Sequence, residues 1–242
     1  MVRAAGFAAS FLLSISPVLA HDPFILDARR ATPGPRLELI ELPAVAGSSE
    51  KKYRLRVGAG LPRGVTFGVF TKPFDHAFHE AASGFRLDES GSLVSDDSGG
   101  AGRHRLDAIA FGPGRYPAGA PWEVALVSSD RDLRIFARVV PYPIVATDGS
   151  CRVSLELASH LGDRFSASGA GFPPGEEVTS ELRYSGRQIQ KHVRISPEGL
   201  LPPDPLSHRP IGADRSAHYT VAARTCRVTI DYDWGEPALI RR

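Results

Sequence analysis

Again and again along this chain, apolar and polar residues alternate one for one. Side chains of a strand point to opposite faces in turn, so this pattern fits a strand with one face in a core and not an amphipathic helix. It is clearest in Tyr53-Arg54-Leu55-Arg56-Val57, in Trp122-Glu123-Val124-Ala125-Leu126 and in Leu133-Arg134-Ile135-Phe136-Ala137-Arg138-Val139. RLELIEL (36–42) and VTFGVF (65–70) are looser cases. FRLDESGSLV (85–94) sets a turn cluster between two apolar pieces, as a hairpin does. The 20 prolines and 24 glycines are spread along the chain, which suits many short strands joined by turns. Only FDHAFHEAASG (74–84) carries helix signals, with Asp75 as a cap and Gly84 as a stop after about two turns.

The first twenty residues stand apart. One early charge, Arg3, precedes an unbroken small-and-apolar run that ends in Val18-Leu19-Ala20. This is the pattern of a cleavable export signal over 1–20, too short to be read first as a spanning helix. The sequence therefore predicts a secreted or periplasmic protein with no stable membrane span after cleavage. The whole chain holds 29 Lys and Arg against 27 Asp and Glu, and the basic residues are dispersed among the acids. That balance gives no electrostatic reason to expect nucleic acid as a partner.

Two prolines, Pro141 and Pro143, interrupt the alternation, and neither can donate to a strand ladder. The expected organisation is all-β, with two antiparallel β-sandwich domains over 21–144 and 145–242. In the second, Cys151, Val153, Leu155 and Leu157 share one face of a strand. Cys226, Val228, Ile230, Tyr232 and Trp234 share one face of another. The chain has 2 cysteines, in no CxxC spacing, and in an exported protein such a pair predicts a disulfide. Closing a loop of this length stabilises by about 4 kcal/mol in the chain-entropy model.

Between the cysteines runs GAGFPPGEEV (169–178), followed by alternation at Val178, Ser180, Leu182 and Tyr184. The segment resembles the GxGFxPGxxV signature of immunoglobulin-like (TIG-like) modules in bacterial exported and surface proteins. The resemblance implies an immunoglobulin-like sandwich over the second half, with Phe172 packed inward and Gly175 at positive φ. It implies no activity, because such modules are mostly spacers or adhesive units.

Candidate chemistry is confined to histidines. Signal cleavage leaves His21 first, and an amino-terminal His can chelate through its α-amine and ring Nδ1 together. DHAFHE supplies His76 and His79, which a helix would place side by side, and His104 lies in GRHRLD. Imidazole with carboxylate suits Zn(II) or Cu(II), so His21, His76, His79 and His104 form the candidate metal set. HxxHE does not match the HExxH order of zinc proteases. The only Met is the initiator, so the mature chain offers no thioether to Cu(I). No GxSxG, GxxxxGK[ST] or GxGxxG occurs, and SDDSGG (95–100) lacks the ligand spacing of a calcium loop. Asp231 and Asp233 read as a solvated edge rather than a glycosidase pair.

These readings converge on a non-enzymatic binding or structural module with no catalytic residues and no cofactor. Its partner would be an unspecified protein or cell-envelope component, and the first half would carry the specific function. The alternative is a copper or zinc protein, carrier or oxidative enzyme, built on His21.

Overall fold

The computed structural model describes residues 26–240 except 46, 75, 97–102 and 211. Residues 1–20 and His21 therefore lie outside the described residues. The described chain is all-β, with only short 3-10 turns besides its strands, and every strand pair is antiparallel.

In chain order the first half supplies β1 (Leu37–Glu41), β2 (Tyr53–Val57), β3 (Thr66–Lys72), β4 (His79–Leu87) and β5 (Leu93–Asp96). It continues with β6 (Arg103–Arg105), β7 (Ala110–Phe111), β8 (Trp122–Ser128) and β9 (Arg134–Val139). The second half supplies β10 (Ile144–Asp148), β11 (Cys151–Leu157), β12 (Arg164–Ala170) and β13 (Glu177–Tyr184). It closes with β14 (Arg187–Arg194), β15 (Leu201–Ser207), β16 (Ser216–Ala222) and β17 (Arg227–Asp233). Each half forms a sandwich: sheets β1-β2-β7 and β6-β5-β4-β3-β8-β9 in the first, β10-β11-β12-β15 and β14-β13-β16-β17 in the second. No strand pair crosses between the halves among the described residues.

The alternating segments became strands because each can bury one face. In β2, Tyr53 and Leu55 are buried while Arg54 and Arg56 are exposed. β8 goes further and buries both faces from Val124 onward. Its Val124 and Leu126 enter the main core, whereas Ala125 and Val127 meet Leu26 on the opposite side, with Phe70, Phe78 and Phe136 packed around them. The segment leading out of Leu26 then follows the edge of β9, where the Thr32 N–H donates to the Arg134 carbonyl at 2.8 Å.

One local expectation is corrected. Among the described residues of 74–84 there is no helix: a turn, in which the His76 N–H donates to the Pro73 carbonyl, leads into β4. The ladder to β3 wins because it supplies backbone partners along the whole segment, and two register shifts absorb the imperfect alternation of His79-Glu80-Ala81-Ala82-Ser83-Gly84. One shift falls beside Gly84, at φ 82, a conformation natural to glycine. At the seam, Ile144 opens β10, which pairs with β11 across the Asp148–Cys151 turn.

In the second sandwich, β10 lies against β17 at one edge and β14 against β15 at the other. The disulfide Cys151–Cys226 joins the two sheets, with Cα atoms 6.4 Å apart across a sequence separation of 75. Phe172 is buried and Gly175 has φ 70. The two halves meet over one continuous core. At the seam the Leu157 N–H donates to the Gly119 carbonyl at 2.9 Å, and the Gly119 N–H donates to the Tyr142 carbonyl at 2.7 Å. Arg138 of β9 grips the Glu156 carboxylate of β11 with both terminal guanidinium nitrogens.

Candidate functional site

Of the three described histidines of the candidate set, His79 and His104 lie on the six-stranded sheet of the first half and His76 beside it. His76 is exposed in the turn before β4. His79 opens β4 opposite Thr71, and its Nε2 stands 3.1 Å from Thr71 Oγ1. His104 is exposed on β6, opposite Ser95, which in turn faces Phe85. His79 and the Phe85–His104 row are thus six residues apart along β4 and two strands apart across the sheet. At about 3.3 Å per residue and 4.8 Å per strand, His104 sits on the order of 20 Å from His79. One ion cannot span that gap, because a zinc–nitrogen bond is about 2 Å. The structure places His76 in the turn just before His79 and sets His104 far from His79. Among the described residues no three His, Cys, Asp or Glu side chains gather as a metal cage.

The first half does contain a cleft. It opens between the β2 end with its glycine-containing loop and the β4–β5 hairpin, and encloses about 560 Å³. Leu55, Leu93 and Leu106 are buried beneath it, and Leu87 lines it half-buried. Arg63, Ser92 and Asp107 supply polar groups. The hairpin wall is pre-organised: Asp88 Oδ1 accepts from Ser90 Oγ at 2.6 Å and from the Ser92 N–H at 2.9 Å. Those hydrogen bonds, from the Ser90 hydroxyl first, hold the Asp88 carboxyl below the usual carboxylate range. Asp107 is lowered by its side-chain hydrogen bond to Arg105, whose guanidinium binds both carboxylate oxygens. Arg56 pairs with Glu38 at 3.4 Å, while Arg63 has no acidic partner among the described residues. A wider groove of about 830 Å³ follows the seam between the halves, bordered by Tyr142, His218 and Asp231.

Two buried polar groups of the second half carry chemistry that the alternation pattern did not announce. Asp204 lies between the sheets at 5% exposure. Its Oδ2 accepts from the Tyr219 hydroxyl at 3.0 Å and from Ser180 Oγ at 3.2 Å, and its Oδ1 accepts from Lys191 Nζ at 2.6 Å. Burial, and then the adjacent Asp204 charge, push the Tyr219 hydroxyl far above the ordinary phenol range. His208 is buried in a box of rings. It stacks on Trp234 with centroids 5.2 Å apart and meets Phe165, Tyr184 and Tyr232 edge-on. Its Nδ1 lies 3.1 Å from the Asp163 carbonyl and its Nε2 lies 2.9 Å from the Tyr232 hydroxyl. Burial lowers its pKa, favouring the neutral ring. Of the remaining histidines, His218 meets Asp231 at 2.6 Å on the exposed face, and His192 lies 3.6 Å from Glu177.

The Asp204 group left one indirect trace in the sequence, at its partner Ser180. Ser180 falls in an otherwise apolar inward row, and an inward hydroxyl requires a partner. Compared with known proteins, the chain matches no family model and no curated protein.

Proposed function

We propose that the protein is an exported, non-enzymatic binding module. The first sandwich holds a ligand in the cleft over Leu55, Leu93 and Leu106, and the second is an immunoglobulin-like unit braced by its disulfide. The cleft is the observation that carries the reading: it joins an apolar floor, a polar rim and a hydrogen-bonded wall at a volume ordinary for ligand sites. Support for the second unit comes from buried Phe172 and from Gly175 at φ 70, where the GAGFPPGEEV resemblance implies them.

The amphipathic dye 1-anilinonaphthalene-8-sulfonate tests the cleft. The folded chain is expected to bind one dye, and Ala59→Trp, which fills the mouth from an exposed position, to abolish the fluorescence gain. Absence of binding, or binding indifferent to Ala59→Trp, overturns the reading. Amino-terminal sequencing of the mature protein tests export, with His21 as the expected first residue.

One observation favours a second reading, a Cu(II) or Zn(II) site of His21 with His76 or His79. Leu26 is buried in the cluster against which Phe78 packs, and Phe78 lies between those two histidines in sequence. The five residues from His21 to Leu26 reach up to about 17 Å. Equilibrium dialysis with Cu(II) decides this reading: tight binding lost both in His21→Ala and in the double variant His76→Ala/His79→Ala supports it, and binding unchanged in either refutes it.

A further inference from the structure

We infer that β14 is a docking edge for an extended, acidic segment of a partner protein, which adds to the second sandwich as an extra strand. Three observations converge on it.

The first is an open backbone edge. Ser185 and Gly186, with φ 47 and 72, form a two-residue turn of type I′, and such a turn makes Tyr184 and Arg187 a hydrogen-bonded pair. Pairing then alternates, so that Arg187, Ile189, Lys191 and Val193 turn their backbone groups toward β13. The Ile195 N–H to Glu176 carbonyl bond, 2.8 Å, continues the same alternation at the other end. The N–H and C=O groups of Gln188, Gln190, His192 and Arg194 therefore point away from the sheet. Among the described residues no backbone group pairs with them. Seven of the eight residues of β14 are exposed, in the pattern eeeeeeie, and none is proline. β15, the neighbouring edge, carries Pro202, Pro203 and Pro205, which blunt it.

The second is a place for a side chain. Between β14 and β15 lies a recess of about 160 Å³, lined by Leu182, Ile189 and Leu206 with Lys191 and Asp204. Strand addition draws affinity from backbone hydrogen bonds and specificity from such recesses, which take alternate side chains. An added strand beside β14 lays every second residue over this opening.

The third is charge. Arg187, Lys191 and Arg194 line the edge, and only Lys191 forms an ion pair, with Asp204. A segment alternating carboxylates with aliphatic residues lays its aliphatic side chains over the recess and its carboxylates along the opposite face, where Arg194 stands, while β14 itself carries no acidic residue.

The test uses the full chain and two labelled peptides of about nine residues, one alternating Glu with Val and the other Lys with Val, followed by fluorescence anisotropy. The Glu peptide is expected to bind at least roughly tenfold more tightly than the Lys peptide, with affinity falling as salt rises. Gln190→Pro removes an outward N–H while leaving the β13 ladder intact, and is expected to weaken the Glu peptide at least about tenfold. Should Gln190→Pro fail to fold, the surface variant Arg187→Glu/Arg194→Glu serves instead, and is expected to exchange the preference for the Lys peptide. Equal binding of the two peptides, no binding of the Glu peptide, or binding unchanged in the variants overturns the inference. So does a dimer in sedimentation that Gln190→Pro dissolves, since the occupant would then be a second copy.

Discussion

Reducing the Cys151–Cys226 bridge should cost the second sandwich a large share of its stability. The bridge closes a loop with a sequence separation of 75 and ties together two sheets that share no strand pair. For a loop of that length the chain-entropy relation gives about 15 cal/mol/K, or roughly 4.5 kcal/mol at 25 °C. A single domain commonly has a net stability of about 5–15 kcal/mol, so the loss is decisive. Reduction is a better perturbation than substitution, because both sulfur atoms remain to fill the core around Cys151, which is fully buried. The assay is equilibrium urea unfolding with and without dithiothreitol, followed by Trp234 fluorescence in a Trp122→Phe background. Trp234 adjoins the last strand of the second sandwich, and Trp122 belongs to the first. With a slope of about 2 kcal/mol/M, the midpoint should fall by roughly 2 M. A shift under about 0.5 M would refute the claim that the crosslink restrains the unfolded chain.

Three further outcomes follow from the same half. His208, whose folded pKa is lowered by burial among Tyr184, Tyr232 and Trp234 in spite of the opposing Asp163, favours the folded state only while neutral. Its contribution is complete above the unfolded value of about 6.5 and is lost as pH falls from there toward the lowered folded value. Urea midpoints measured across pH 7.5 to 4.5 should decline in the wild type, with a shallower slope in His208→Gln. Asp204→Ala strands the buried Tyr219 and Ser180 hydroxyls and should cost on the order of 2–4 kcal/mol in urea unfolding. Gly171→Ala places a methyl group 1.9 Å from the Ser150 carbonyl oxygen at φ 81, and calorimetry should register a loss of about 2 kcal/mol or more.

The strands that alternate cleanly were legible in advance, because burial of one face decides their conformation: β2 spans Tyr53–Val57 and β13 contains the predicted 178–184 row. The disulfide was legible because both cysteines fall in buried rows of the second half. β10 was not, since Ile144–Asp148 follows two prolines and shows no alternation; only the ladder to β11 makes it a strand. The 79–84 stretch was misread for the converse reason. Its alanines favour a helix locally, and the β3 ladder overrides them. The candidate site was the least legible part. Spacing in sequence puts His79 and His104 in one list, but the sheet register sets them far apart. The cleft over Leu55 depends on how two sheets splay, which no local pattern encodes.

A bridge between Cys151 and Cys226 also changes what a protease can achieve. A single cut in any turn between these residues, at Gly186 for example, separates no fragment, because the two new ends stay fastened through sulfur. The pieces on either side remain at millimolar effective concentration and can re-dock. Wherever a peptidase reaches such a turn, a nicked molecule of this kind keeps its shape.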